Sequence, residues 1–168
     1  MPDIWTAPRT WTTGEVVTST LMNTHLRDNL EHLKARVETP AASASALSVA
    51  SYSTSSTSFV DVDATNLSLA LTTTGAPVLF GFSGSVSAAA GGVNCYFDLL
   101  LDGARISGVS AGSVHVTTGT AGEHSAVCFV GVRALAAGAH TVKLQWRVGS
   151  STATFGSVPL GLFALEMS

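Results

Sequence analysis

Val93-Asn94-Cys95-Tyr96-Phe97-Asp98-Leu99-Leu100-Leu101-Asp102 alternates without a break: Val93, Cys95, Phe97, Leu99 and Leu101 fall on one face, and Asn94, Tyr96, Asp98, Leu100 and Asp102 on the other. Successive side chains of an extended backbone point to opposite sides, so this period of two predicts a strand with one face against a core. Residues 141–148 repeat the pattern, with Val142, Leu144, Trp146 and Val148 set against Thr141, Lys143, Gln145 and Arg147. Two such half-buried strands imply a sheet, and a sheet with an apolar face implies a second layer.

Further strands are expected at 58–62, 66–71, 78–86, 113–118, 126–133 and 160–167. The connections carry turn chemistry: Thr74-Gly75, Gly91-Gly92, Asp102-Gly103, Ala121-Gly122, Ala137-Gly138 and Gly149-Ser150. About eight to ten short strands with no helix among them point to an all-β sandwich. Its strands should be antiparallel, because parallel neighbours need crossover helices that this stretch lacks.

The N-terminal part has a different period. Asn23, Leu26, Leu30, Leu33 and Val37 follow one another at steps of three, four, three and four, which predicts one amphipathic α-helix with a single apolar stripe. Thr18 or Thr20 can cap its start and Pro40 closes it. Lettered as a heptad, Asn23, Leu30 and Val37 occupy a positions and Leu26 and Leu33 d positions, with Arg27 and Lys34 at e. That is a self-associating pattern in which a polar a residue sets register. The other reading is that the stripe packs on the chain's own β-domain. Residues 1–10, with Pro2, Trp5 and Pro8 and no periodicity, read as an extended arm of the kind that orders against a partner. The expected organisation is an arm and anchor or oligomerisation helix at 1–40, a Ser/Ala linker at 41–47 and a β-sandwich domain at 48–168.

Composition bounds the function. The 168 residues suffice for one domain with an appendage, and 11% charged against 46% hydrophobic residues is not a disordered chain. A formal charge of −3 without a basic cluster argues against nucleic-acid binding. No basic amphipathic helix or bilayer-length apolar run predicts membrane insertion. Met1-Pro2-Asp3-Ile4-Trp5 has neither the basic nor the apolar region of a secretory signal, so synthesis and assembly in a host cytoplasm are expected.

Two resemblances refine this reading. The run from Trp11 to Leu30, with Trp11, Gly14-Glu15, Val17-Thr18, Leu21-Met22-Asn23 and Arg27-Asp28-Asn29, resembles a pattern near the start of tailed-bacteriophage and prophage virion structural proteins: tail, fibre and head-decoration components. It covers about a fifth of the chain and implies a non-enzymatic virion role. Further on, Leu101-Asp102-Gly103-Ala104-Arg105, then Ala137-Gly138-Ala139-His140-Thr141-Val142-Lys143-Leu144-Gln145-Trp146, then Leu160-Gly161-Leu162-Phe163-Ala164-Leu165-Glu166 are similar to the compact jelly-roll domains of the TNF and C1q heads. That likeness implies a trimeric jelly-roll β-sandwich.

Assembly also has a residue-level argument. Leu79, Leu100, Phe129, Phe163 and Leu165 lie out of phase with the core face, and a lone copy would expose them unless loops cover these strands. They form the candidate trimer interface. A homotrimer, held to capsid or tail proteins through residues 1–37, is the expected state.

Catalytic and metal signals are weak. Gly108-Val109-Ser110-Ala111-Gly112 satisfies the nucleophile-elbow string, but that chemistry needs a strand-to-helix turn with a histidine and a carboxylate arranged around the serine. The five histidines include no close pair, and His25 and His32 fall on the polar flank of the helix, solvated or at the rim of a trimer. Asp61 and Asp63, and Asp98 and Asp102, are carboxylate pairs whose spacing suits an exposed face as well as calcium or glycoside chemistry. Cys95 and Cys128 match no zinc or redox spacing; they read as buried free thiols or, alternatively, a disulfide between neighbouring strands. No catalytic residue, metal site or cofactor is expected. The alternative function is a fibre or spike tip that binds a host-surface glycan or protein through loops 102–112, 119–124 and 149–157.

Overall fold

The computed structural model describes residues 5–38, 42–156 and 158–167, the side chains of 35–38 excepted. Pro40 and the side chain of Val37 therefore lie outside the described residues. Contacts divide the chain into two compact units, one within residues 1–40 and the other Ala41–Met167.

The larger unit is built of β1 (Ser43–Ser48), β2 (Tyr52–Thr54), β3 (Val60–Asp61), β4 (Ser68–Thr73), β5 (Pro77–Ala88), β6 (Asn94–Leu101), β7 (Ala104–Arg105), β8 (Val114–Thr117), β9 (Ser125–Ala134), β10 (Gly138–Val148), β11 (Ala153–Phe155) and β12 (Leu160–Glu166). In the first sheet β1 pairs β12, β12 pairs β5 and β5 pairs β9, while β2 and β11 extend the β1 and β12 rows. In the second, β4 and β3 pair β10, β10 pairs β6, and β6 pairs β8 and β7. All these pairings are antiparallel. Nested pairing of first row with last (β1–β12), second with seventh (β4–β10), third with sixth (β5–β9) and fourth with fifth (β6–β8) is a long hairpin rolled up on itself. The domain is thus an antiparallel jelly-roll β-sandwich.

The alternation that predicts β6 and β10 also sets their register. Leu144 lies opposite Leu99 and Trp146 opposite Phe97, and all four are buried. Trp146 stacks on Phe155 at 4.9 Å between ring centroids, Phe155 meets Phe97 at 5.3 Å, and Phe97 meets Phe82 of the first sheet at 6.0 Å. The core is this aromatic column with Leu67, Leu99, Leu144, Leu160 and Leu162 around it. Each such side chain contributes about 1.5–3 kcal/mol through burial. Asp102 and Gly103 both take positive φ, 48° and 83°, the backbone of a two-residue hairpin turn, and lead β6 directly into β7.

One expected boundary moves. Strand β1, Ser43–Ser48, takes up residues 43–47 of the stretch read as a linker and pairs along its whole length with β12. Ala44 and Ala46 face the core while Ser43, Ser45 and Leu47 face out. The alternation is real, but alanine and serine differ too little in hydropathy for it to stand out.

In the smaller unit, α1 (Ser19–Met22) and α2 (Asp28–Glu38) are joined by a π-helical turn over Asn23–Arg27. Thr18 caps the start, its hydroxyl accepting from the Leu21 amide at 3.3 Å.

Candidate functional site

The outward side of the first sheet is uncharged and largely apolar. Its cross-strand rows run Ser43–Leu165–Leu79–Val132, then Ser45–Phe163–Gly81–Val130, then Leu47–Gly161–Ser83–Cys128. No acidic or basic residue stands in any of the three rows. Leu47, Val130, Val132 and Leu165 are 73%, 61%, 52% and 41% exposed. A Cβ on Gly81 would run into the ring of Phe163, so the glycine allows that ring to lie flat across the strands. The result is an uncharged surface over four strands with six exposed or half-buried Leu, Val and Phe side chains.

Three of the five predicted interface residues, Leu79, Phe163 and Leu165, meet on this face. The other two lie elsewhere. Leu100 is on the outward side of the second sheet, between Lys143 and Arg105 in the cross-strand register. Phe129 points inward, stacked on Phe82 at 6.2 Å. Leu47, Val130 and Val132 complete the surface. Leu47 ends the stretch that reads as a linker, and β9 is apolar on both sides, so alternation alone does not phase it.

A second apolar surface lies on the helix. Leu26, Leu30 and Leu33 are 45%, 63% and 49% exposed, and Met22 is 42% exposed. The π turn, closed by the Asp28 amide on the Asn23 carbonyl, inserts a residue relative to an α-helical turn. Counting back from Leu26 through this wider turn, Met22 replaces Asn23 in line with the leucines. The π turn therefore breaks the regular heptad spacing between Asn23 and Leu26.

The arm folds back along another side of the helix. The Asn29 carboxamide exchanges two hydrogen bonds with the main chain of Thr6: Oδ1 accepts from the Thr6 amide at 3.0 Å and Nδ2 donates to the Thr6 carbonyl at 2.9 Å. Asn29 is only 6% exposed. On either side of it Trp5 packs against His32 at 5.8 Å and Trp11 edge-on against His25 at 6.4 Å. Arg9 pairs with Glu15 and lies over the Trp11 ring. His25, Asn29 and His32 therefore form a stripe of their own, covered by the arm. Their spacing of four and three is visible in the sequence, but nothing there says that the arm doubles back.

The chemistry-bearing groups of the β-domain are taken up by internal contacts. Asp98, fully buried, accepts from the Leu99 amide at 2.9 Å and the Ser113 hydroxyl at 2.6 Å, and faces Arg105 at 3.5 Å. These bonds pin the 106–113 loop over the second sheet. Asp61 pairs with Lys143 at 3.1 Å and takes a hydrogen bond from Gln145. Asp63 caps its own turn, and donors from Asn66 and Thr65 lower its carboxyl to about 2. Asp102 meets His140 Nδ1 at 2.7 Å while His140 Nε2 faces the Ala136 carbonyl at 3.0 Å. With acceptors at both nitrogens the imidazolium is favoured: the Asp102 contact, then the carbonyl, raises the His140 pKa, and the contacts of Asp102 with His140 and then with the Thr141 amide, which donates to it, lower that of Asp102. For Glu166, burial acts to raise the carboxyl, but the Thr74 amide and hydroxyl and the Ala76 amide outweigh it and hold it below its ordinary value.

Ser110 sits in a loop between β7 and β8, its carbonyl accepting from Arg147 at 2.8 Å, so the Gly-x-Ser-x-Gly string lacks the strand-to-helix turn of an elbow. Among the described residues no three His, Cys, Asp or Glu side chains gather into a metal-holding group. No helix among them is long and apolar enough to cross a membrane. The cysteines are unpaired and dissimilar. Cys95 is buried in the second sheet, where desolvation raises its thiol to about 11. Cys128, expected to be buried, is exposed on the apolar face of the first sheet.

No protein-family model matches the chain, and no curated protein does. Among solved structures, it is similar to infectious bursal disease virus-derived T=1 particles at 2.6 Å, with TM-score 0.47, 13% identity and coverage of 76% of this chain and 36% of that one. The infectious bursal disease virus Gx strain gives TM-score 0.38 at 13% identity over 74% of this chain and 36% of the other. T=1 particles of a VP2 mutant of that virus give TM-score 0.37 at 11% identity over 74% and 35%. The chain thus spans about a third of the length of those proteins.

Proposed function

We propose that this chain is a non-enzymatic structural subunit of a virion, assembled as a homotrimer, with the jelly roll as a surface knob and residues 1–37 as its attachment to capsid or tail proteins. The observation that carries the assembly is the outward face of the first sheet. An uncharged surface of Leu47, Leu79, Val130, Val132, Phe163 and Leu165 needs no complementary charge, so another copy of the chain suffices as partner. The leucine stripe of the helix supports the same reading as a second exposed apolar surface with heptad spacing. The virion assignment rests on the resemblance of residues 11–30 to phage structural proteins.

The loops favour structure over receptor binding. Phe155, the one Phe, Tyr or Trp of loops 102–112, 119–124 and 149–157, is buried against Trp146, so these loops offer a sugar no exposed Phe, Tyr or Trp ring to stack on.

Antibody against the β-domain should label purified particles, and a chain lacking residues 1–40 should fold, remain soluble and be missing from them. Particles that bear no label remove the virion assignment. Particles that incorporate the truncated chain remove the anchor.

A further inference from the structure

The sandwich is open along one long side, where β9 edges the first sheet and the 104–113 segment borders the second. β9 pairs with β5 and with no other strand among the described residues, so the main-chain groups of its far edge form no ladder. Two hollows lie side by side along this edge, of about 300 and 240 Å³. Phe80, Phe129 and Val132 line the first, Leu101 and Leu135 the second, and Ile106 and Arg133 border both. Each is near or below the lower end of small-molecule pockets and suits one or two side chains.

Arg133 supplies the charge. It stands between the hollows, donates to the Ile106 carbonyl and has no carboxylate partner among the described residues, unlike Arg105, which faces Asp98. An unneutralised guanidinium between apolar walls, beside an unpaired strand edge, is complementary to an extended acidic-apolar segment. Alternate side chains of a strand share one face roughly 7 Å apart, so three in succession on that face present an apolar, an acidic and an apolar group to hollow, guanidinium and hollow while the main chain bonds to the edge.

We propose that this groove docks an extended peptide of a partner protein, which adds to β9 as a strand, places apolar side chains in the two hollows and sets a carboxylate against Arg133. The assembly face uses the outward side chains of the same strand, Val130 and Val132, whereas the docked peptide would bond to its free main-chain edge.

The test uses the full chain and three labelled synthetic octapeptides with serine at every second position and Val-Glu-Val, Val-Ser-Val or Val-Lys-Val on the other face (Val/Glu, Val/Ser and Val/Lys), read by fluorescence anisotropy. Amide exchange over residues 125–134 is followed in parallel. The Val/Glu peptide should bind at least tenfold more tightly than Val/Lys and slow exchange in β9. Arg133→Glu, on an exposed side chain and so compatible with folding, should reverse that order. Equal binding of the three peptides, an Arg133→Glu variant with unchanged preference, or β9 exchange that slows with protein concentration while the peptides are excluded would each overturn the proposal. The last result would mean that a second copy fills the groove.

Discussion

Val130→Glu separates folding from assembly. Val130 points away from the core and is 61% exposed, so a glutamate there is solvated in a single copy and costs the fold about 1 kcal/mol or less through lost strand propensity. In an assembly that covers the face, each copy buries a carboxylate opposite Leu, Val and Phe with no cation in the three rows to pair with it. Burying an ion costs several kcal/mol; taking about 3 kcal/mol per copy gives roughly a hundredfold per subunit and on the order of a millionfold for three. Sedimentation velocity at micromolar concentration should show the wild type at three times the 17.2 kDa chain mass and the variant at one. Circular dichroism should show the same β signature for both. A variant that sediments like the wild type would refute the assignment of this face.

Asn29→Ala removes both bonds to Thr6 and should free the arm at a cost of about 1–2 kcal/mol, so that trypsin cuts after Arg9 roughly 5–30-fold faster. The His140–Asp102 pair should contribute to stability within a window. The histidine's raised pKa makes its share complete below about pH 6.5 and lost as pH rises through the folded value; the aspartate's lowered pKa makes its share present above about pH 3.9 and lost as pH falls through the folded value. The unfolding free-energy gap between wild type and His140→Leu in denaturant titrations should therefore be wider at pH 5.5 than at pH 8.5, by no more than solvent screening permits, about 1 kcal/mol. Trp146→Ala should destabilise the β-domain by about 3–5 kcal/mol in a denaturant titration, because it empties the centre of the aromatic column.

What could be read in advance follows from how many faces of an element are buried. β6 and β10 each have one face on the core in their central residues, and strict alternation announced both their strand character and their inward residues. β1 was hidden because Ala44 and Ala46 face in and Ser43 and Ser45 face out, a contrast without hydropathy. β9 was recognisable as a strand but not in phase: Val127, Phe129, Val130 and Val132 are apolar on both sides, and only the pairing of Phe129 with Phe82 shows which way each one points. Leu100 is out of phase with the core, as expected, but a single strand does not reveal which sheet it will join. On the helix, spacing placed the leucines on one stripe but could not show a π turn that moves Asn23 aside. The roles of His25 and His32 depend on an arm that returns over them, a contact 14 to 27 residues away in sequence.

Cys128 reports most directly on whether copies of the chain meet across the first sheet, because it lies on that face beside Ser83, while Cys95, buried and with its thiol raised to about 11, serves as an unreactive internal reference. Alkylation with iodoacetamide, followed by mass spectrometry, should modify Cys128 slowly in the native wild type and at least tenfold faster in Val130→Glu, with Cys95 slow in both. Equal, rapid modification of Cys128 in the two proteins would show an open face and contradict assembly through it.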